Sequence, residues 1–148
     1  MRPQLTDKEL RNKAAATLFF TDVFNKGNLD IVDKGLSPAY LYNGQPQSKQ
    51  QVKAWVTGLR SNYPDLQFSI QAILTEDDMV ALRWHMTGTA SGGPNCGKRV
   101  EATGTNILTY DKQGLGISNI QNGVCTLPGQ PPLTDDLLYH GLYFKSGT

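Results

Sequence analysis

Residues Met79 to Thr89, MVALRWHMTGT, decide the fold. They alternate with period two, as a strand with two unlike faces does. Val80, Leu82, Trp84 and Met86 share one face, which reads as packed against a neighbouring layer. Ala81, Arg83, His85 and Thr87 share the other. A guanidinium and an imidazole two residues apart are costly on an inner sheet face unless they have partners. We therefore expect the Arg83–His85 face to line a cavity.

Outward from this strand the pattern repeats. Leu66, Phe68, Ile70, Ala72 and Leu74 alternate with polar residues, and Glu76-Asp77-Asp78 turns that strand into the central one. After the glycine-rich loop 91–97, Arg99 to Tyr110 and Leu115 to Asn122 read as two more strands, joined by Asp111-Lys112-Gln113-Gly114. The loop is a turn and not a phosphate cradle, since no strand-to-helix context surrounds it. Four strands with short turns imply an antiparallel meander.

The N-terminal part reads as helices. Thr6 with Glu9 forms a capping box, and Ala16, Phe19, Phe20 and Val23 form a buried stripe, predicting a helix over about 6–26 stopped at Gly27. Asn28 to Lys34 is a short second helix. Ala39 to Asn43 follows Pro38 as a short strand. Ser48 with Gln51 opens a third helix to about Ser61, with Val52, Trp55, Val56 and Leu59 on its apolar side. The order predicts α+β, with helices on one face of a curved sheet that closes into a cone with a pocket.

A chain of 148 residues fits one domain. It is 39% hydrophobic and 18% charged, with 14 basic against 13 acidic residues and a net charge of +1. No basic block or acidic tail stands out, so neither nucleic-acid nor membrane-surface binding is suggested. No run reaches membrane-spanning length and MRPQLTDKEL carries no apolar signal region, so a cytoplasmic protein is expected. Cys96 and Cys125 lack metal-ligand spacing. They read as free thiols, with a Cys96–Cys125 disulfide as the alternative.

The stretches TDVFNKGNLDIVDKGLSPAYLYNG (21–44), VKAWVTGLRSNYPDLQFSI (52–70) and DDMVALRWHMTGTASG (77–92) resemble the SnoaL-like polyketide cyclase family of the NTF2-like superfamily. The resemblance covers about residues 8 to 122. It implies a cone-shaped α+β domain over 1–122, leaving 123–148 as a C-terminal extension. The apolar residues of that extension, Leu137 to Phe144, are expected to pack over the cone mouth or onto a partner subunit. The resemblance also implies a homodimer through the outer sheet face.

For chemistry, the family's acid/base aspartate on the last strand falls on Gln121, an amide that cannot exchange a proton near neutral pH. In the epoxide-hydrolase-like branch an Arg-x-Asp pair matches Arg83 but meets His85. The polar residue of the first strand falls on Asn43. If Asn43, Arg83, His85, Asn106, Asn119 and Gln121 shared one cavity, His85 would be its base. Arg83 with Asn43 or Gln121 would steady an enolate oxygen. Trp55 and Phe20 would wall a flat, hydrophobic, polyketide-like ligand, and neither metal nor organic cofactor would be needed. The expected function is a cofactor-free cyclase or isomerase. The alternatives are a ligand-binding protein without turnover and an epoxide-hydrolase-like hydrolase or dehydratase, the last needing a carboxylate such as Asp22 or Asp65.

Overall fold

The computed structural model describes residues 4–126 and 133–134. The chain runs α1 (Asp7–Leu18), α2 (Asp30–Gly35), β1 (Leu36–Tyr42), β2 (Gln45–Pro46), α3 (Lys49–Asn62), β3 (Gln67–Glu76), β4 (Met79–Thr89), β5 (Arg99–Tyr110), β6 (Gly116–Thr126) and β7 (Leu133–Thr134). Both capping boxes form: Thr6 Oγ1 accepts from Glu9 N, and Ser48 Oγ from Gln51 N. α1 widens into a π-helical stretch, Phe19–Phe24, before Gly27 ends it at φ 72°.

The sheet order is β2-β1-β6-β5-β4-β3, with β7 on β6. β3 to β6 form the expected antiparallel meander, and β1 joins β6 in parallel. The β3–β4 register shifts between Ile70 and Ala72, an irregularity of the kind that bends a strand. The helices cover one face of this curved sheet, the α+β cone that the element order predicted. β6 passes through the expected 122/123 boundary. Most of the C-terminal extension, including Leu137 to Phe144, lies outside the described residues.

Burial assigns the faces of β4. Val80, Leu82, Trp84 and Met86 are buried against the helical layer, together with Val52, Trp55, Val56 and Leu59 of α3 and Phe20, Val23 and Phe24 of the π-helical stretch. Each such side chain contributes about 1.5–3 kcal/mol by leaving water. Arg83 is exposed and His85 half-buried, on the opposite, outer face. The expectation that these two line the enclosed side is therefore corrected. A hollow under the helices is lined by Phe19, Leu36, Tyr40, Leu108 and Tyr110, on the sheet face that carries Trp84, whereas Arg83 borders an open depression on the outer face with Thr103, Thr105 and Val124. Arg83 needs no buried partner: its Nε donates to Gln71 Oε1 at 3.1 Å, beside the register shift.

Candidate functional site

The buried face of the sheet carries one polar chain. Trp84, Asn106 and Asn119 are each 1% exposed. Cross-strand register brings them together: Trp84 pairs with Gly104, Asn106 with Gln121, and Leu108 with Asn119, so all project to the concave side. Gly104 is required here, because a Cβ would overlap Cζ2 of Trp84 and lie 2.7 Å from its Cε2. The missing side chain gives the indole room to lie across β5.

The indole then fixes the direction of every hydrogen bond. Trp84 Nε1 can only donate, so the Asn106 atom it meets at 2.6 Å is Oδ1. Asn106 Nδ2 must therefore donate, to Asn119 Oδ1 at 2.7 Å and to Gln121 Oε1 at 3.2 Å. That leaves Asn119 with its amino group for Tyr40, whose hydroxyl it bonds. Gln121, half-buried, is left with its amino group as a donor at the open end of the chain. The tyrosine oxygen accepts from Asn119 and keeps its own O–H to give.

Burial sets the electrostatics. Desolvation pushes the Tyr40 phenol up to about 12, and the bond from Asn119 offsets part of that. Burial, and then the neighbouring Tyr40, drive Tyr110 upward also. Every member of the chain is thus neutral throughout the physiological range. No carboxylate belongs to it. Asp65 is exposed and accepts from Thr89 N at 2.7 Å, which holds its carboxyl below the usual range. Asp22 accepts from Thr21 Oγ1 and lies 3.7 Å from Lys26 Nζ.

The expected site residues therefore divide. Asn106 is hydrogen-bonded to both Asn119 and Gln121 on the helix-covered face. Arg83 and His85 lie on the far side of the sheet. Asn43 is exposed and clamps the backbone of Gln121, with Gln121 N donating to Asn43 Oδ1 at 2.7 Å. Tyr42, the neighbour of Asn43 on the opposite side of β1, packs its ring 5.8 Å from Trp55. Trp55 and Phe20 are packed into an aromatic cluster, with Phe24 at 5.3 Å from Trp55 and 5.8 Å from Phe20. Sequence reading missed Tyr40 and the role of Trp84. A signal existed for each: Tyr40 and Tyr42 alternate onto one face, and a buried indole N–H needs an acceptor.

Among the described residues no group of three or more His, Cys, Asp or Glu is placed to hold a metal ion. No helix among them is long and apolar enough to cross a membrane. Cys96 is an exposed free thiol.

A curved α+β sheet covered by helices on one face is the NTF2-like fold. The family model for the SnoaL-like polyketide cyclases matches residues 14–114, and the chain belongs to that family. A protein from Jannaschia sp. CCS1 assigned as a SnoaL-like polyketide cyclase superposes with a TM-score of 0.72 at 17% identity, covering 97% of this chain and 99% of that one. One from Acidithiobacillus ferrooxidans assigned as a polyketide cyclase gives 0.66 at 25% identity, over 95% and 97%. IdmH from Streptomyces antibioticus, likewise assigned as a polyketide cyclase, gives 0.67 at 18%, over 88% and 96%. No curated protein matches the chain.

Proposed function

We propose that this protein binds a small hydrophobic, polyketide-like molecule and grips a carbonyl or enolate oxygen through the donor ends of its amide chain. One observation carries the reading: the donor-only indole of Trp84 turns the amino group of Gln121 outward, and that of Asn119 toward Tyr40. Such prealigned donors suit an oxygen on which negative charge develops. No base sits among them, so binding without turnover is the reading favoured. The test is calorimetry with aromatic polyketides against the native chain and Gln121→Leu. Loss of most of the affinity in the variant supports the reading, and unchanged affinity overturns it.

The family match favours a second reading, a cyclase or isomerase that takes its proton through a group supplied by the substrate. Deuterium exchange next to a ligand carbonyl, followed by NMR, separates the two. Exchange above the solvent rate with the native chain supports turnover.

We further propose a homodimer through the outer sheet face. Leu74, Ala81, Ile107 and Ile120 form one row across β3 to β6, and Leu74, Ile107 and Ile120 are 62%, 47% and 42% exposed. A second copy, inverted about a two-fold axis, can cover that row with its own. A cytoplasmic setting accords with the exposed thiol of Cys96.

A further inference from the structure

The hollow under the helices lies beside the amide chain, at the corner where α1 and α2 meet β1. Its volume is about 230 Å³. Phe19, Leu36, Tyr40 and Tyr110 form its buried floor, while the exposed Leu18 and Lys34 stand at its mouth. The widened π-helical turn begins at Phe19 and contributes that ring here, whereas Phe20 and Phe24 pack toward Phe68. A π-turn of this kind often accompanies a binding site. An apolar cavity of roughly 150 Å³ accommodates benzene, so this one takes a single ring with a short substituent.

The floor excludes charge. Its buried polar side chains are the phenols of Tyr40 and Tyr110, which burial keeps protonated, with the neutral Ser118 beside them, and an ion there would lose its hydration without a counter-charge. At the mouth the balance reverses: among the described residues Lys34 forms no ion pair, whereas the neighbouring Asp33 is bridged by Lys53 at 2.9 Å. We propose that this cleft is a binding site for a single-ring aryl carboxylate, with the ring on the tyrosine floor and the carboxylate at Lys34. The site shares the Tyr40 phenol with the amide chain but includes neither Asn119 nor Gln121, and it does not depend on the role proposed for the Gln121 amino group.

The test is a titration of the ¹⁵N-labelled full chain with 3-phenylpropionate, its neutral amide, and acetate. Saturable shifts at Ala15, Leu36 and Ser118 are expected for the acid, with a Kd on the order of 1 mM for a ligand of this size. The amide should bind about two- to fivefold more weakly, as an exposed charge pair allows, and acetate not at all. Lys34→Met should bring the acid to the level of the amide. Ala15→Leu, which fills the cleft, should abolish the shifts, and Leu18→Trp should do so from the mouth without touching the buried floor. Gln121→Leu should leave them unchanged, which separates this site from the one proposed above. Absence of saturation, persistence of the shifts in both filling variants, or shifts centred on Tyr42 and Gln121 would overturn the proposal.

Discussion

The side chain of Asn43 continues the β1–β6 ladder in place of a backbone unit. Its Oδ1 accepts from Gln121 N at 2.7 Å, its Nδ2 donates to Gln121 O at 3.4 Å, and its own N–H donates to Asn119 O at 2.8 Å. The residue holds φ at 48°, a left-handed conformation that asparagine tolerates better than most. Asn43 thus ends β1 and at the same time sets the backbone that carries Asn119 and Gln121. Asn43→Ala should lower stability by about 1–2 kcal/mol through lost hydrogen bonds and left-handed strain. Asn43→Gly, which relieves the strain alone, should lose less. Urea unfolding measures both, and equal losses would show that strain plays no part.

Gly104→Ala should force the Trp84 ring from its slot and break its bond to Asn106. Overpacking of this kind costs about 1–3 kcal/mol, and an orphaned buried indole N–H adds to it. A shifted tryptophan emission together with a lower urea midpoint is the expected result. A variant with native emission would show that the slot is not tight.

Asn106→Leu removes the centre of the chain while keeping its volume. Trp84 Nε1 loses its acceptor, and Asn119 and Gln121 lose a donor. A loss of about 2–4 kcal/mol is expected from several unsatisfied buried groups. Trp84→Phe combined with Asn106→Leu should cost less than the two single changes summed, since each alone strands the other's partner. Strict additivity in that cycle would argue against coupling.

Alkaline unfolding should report Tyr40. Its phenol titrates higher in the fold than in the unfolded chain, so the fold binds the proton more tightly. That contribution is fully present below the ordinary tyrosine value near 10, and is lost as pH rises from about 10 to about 12. The loss is on the order of 2 kcal/mol. Tyr40→Phe should flatten this decline, at a cost of about 1 kcal/mol at neutral pH for the bond to Asn119. A stability profile with the same alkaline slope in both proteins would remove the assignment.

Ile107→Glu should leave the fold intact, since Ile107 is 47% exposed on the outer face. Sedimentation should show a dimer for the native chain and a monomer for the variant. A native monomer at tens of micromolar would rule out pairing through this face.

How much was legible follows from what periodicity encodes. The caps at Thr6 and Ser48, the stripe of α3 and the two-faced strand β4 are local patterns, and all appear where the sequence places them. Periodicity gives two faces but not which one the helices cover. A guanidinium and an imidazole two residues apart suggest a site, and so an inward face for Arg83 and His85. The four large apolar residues opposite them carry far more transfer free energy, and they took the interior. The β5–β6 register that brings Asn106 opposite Gln121 and Leu108 opposite Asn119 follows from the short connection between the two strands. Tyr40 was not singled out, because its contact with Asn119 depends on β1 crossing in parallel to the last strand, a long-range pairing that no local window contains.

A hydrogen-bond chain built of indole, carboxamide and phenol has no proton to gain or lose between mildly acidic and mildly alkaline water. Recognition through it is therefore insensitive to acidification. A guest held by the Gln121 amino group would stay held as the surroundings sour, released by dilution or competition and not by a drop in pH.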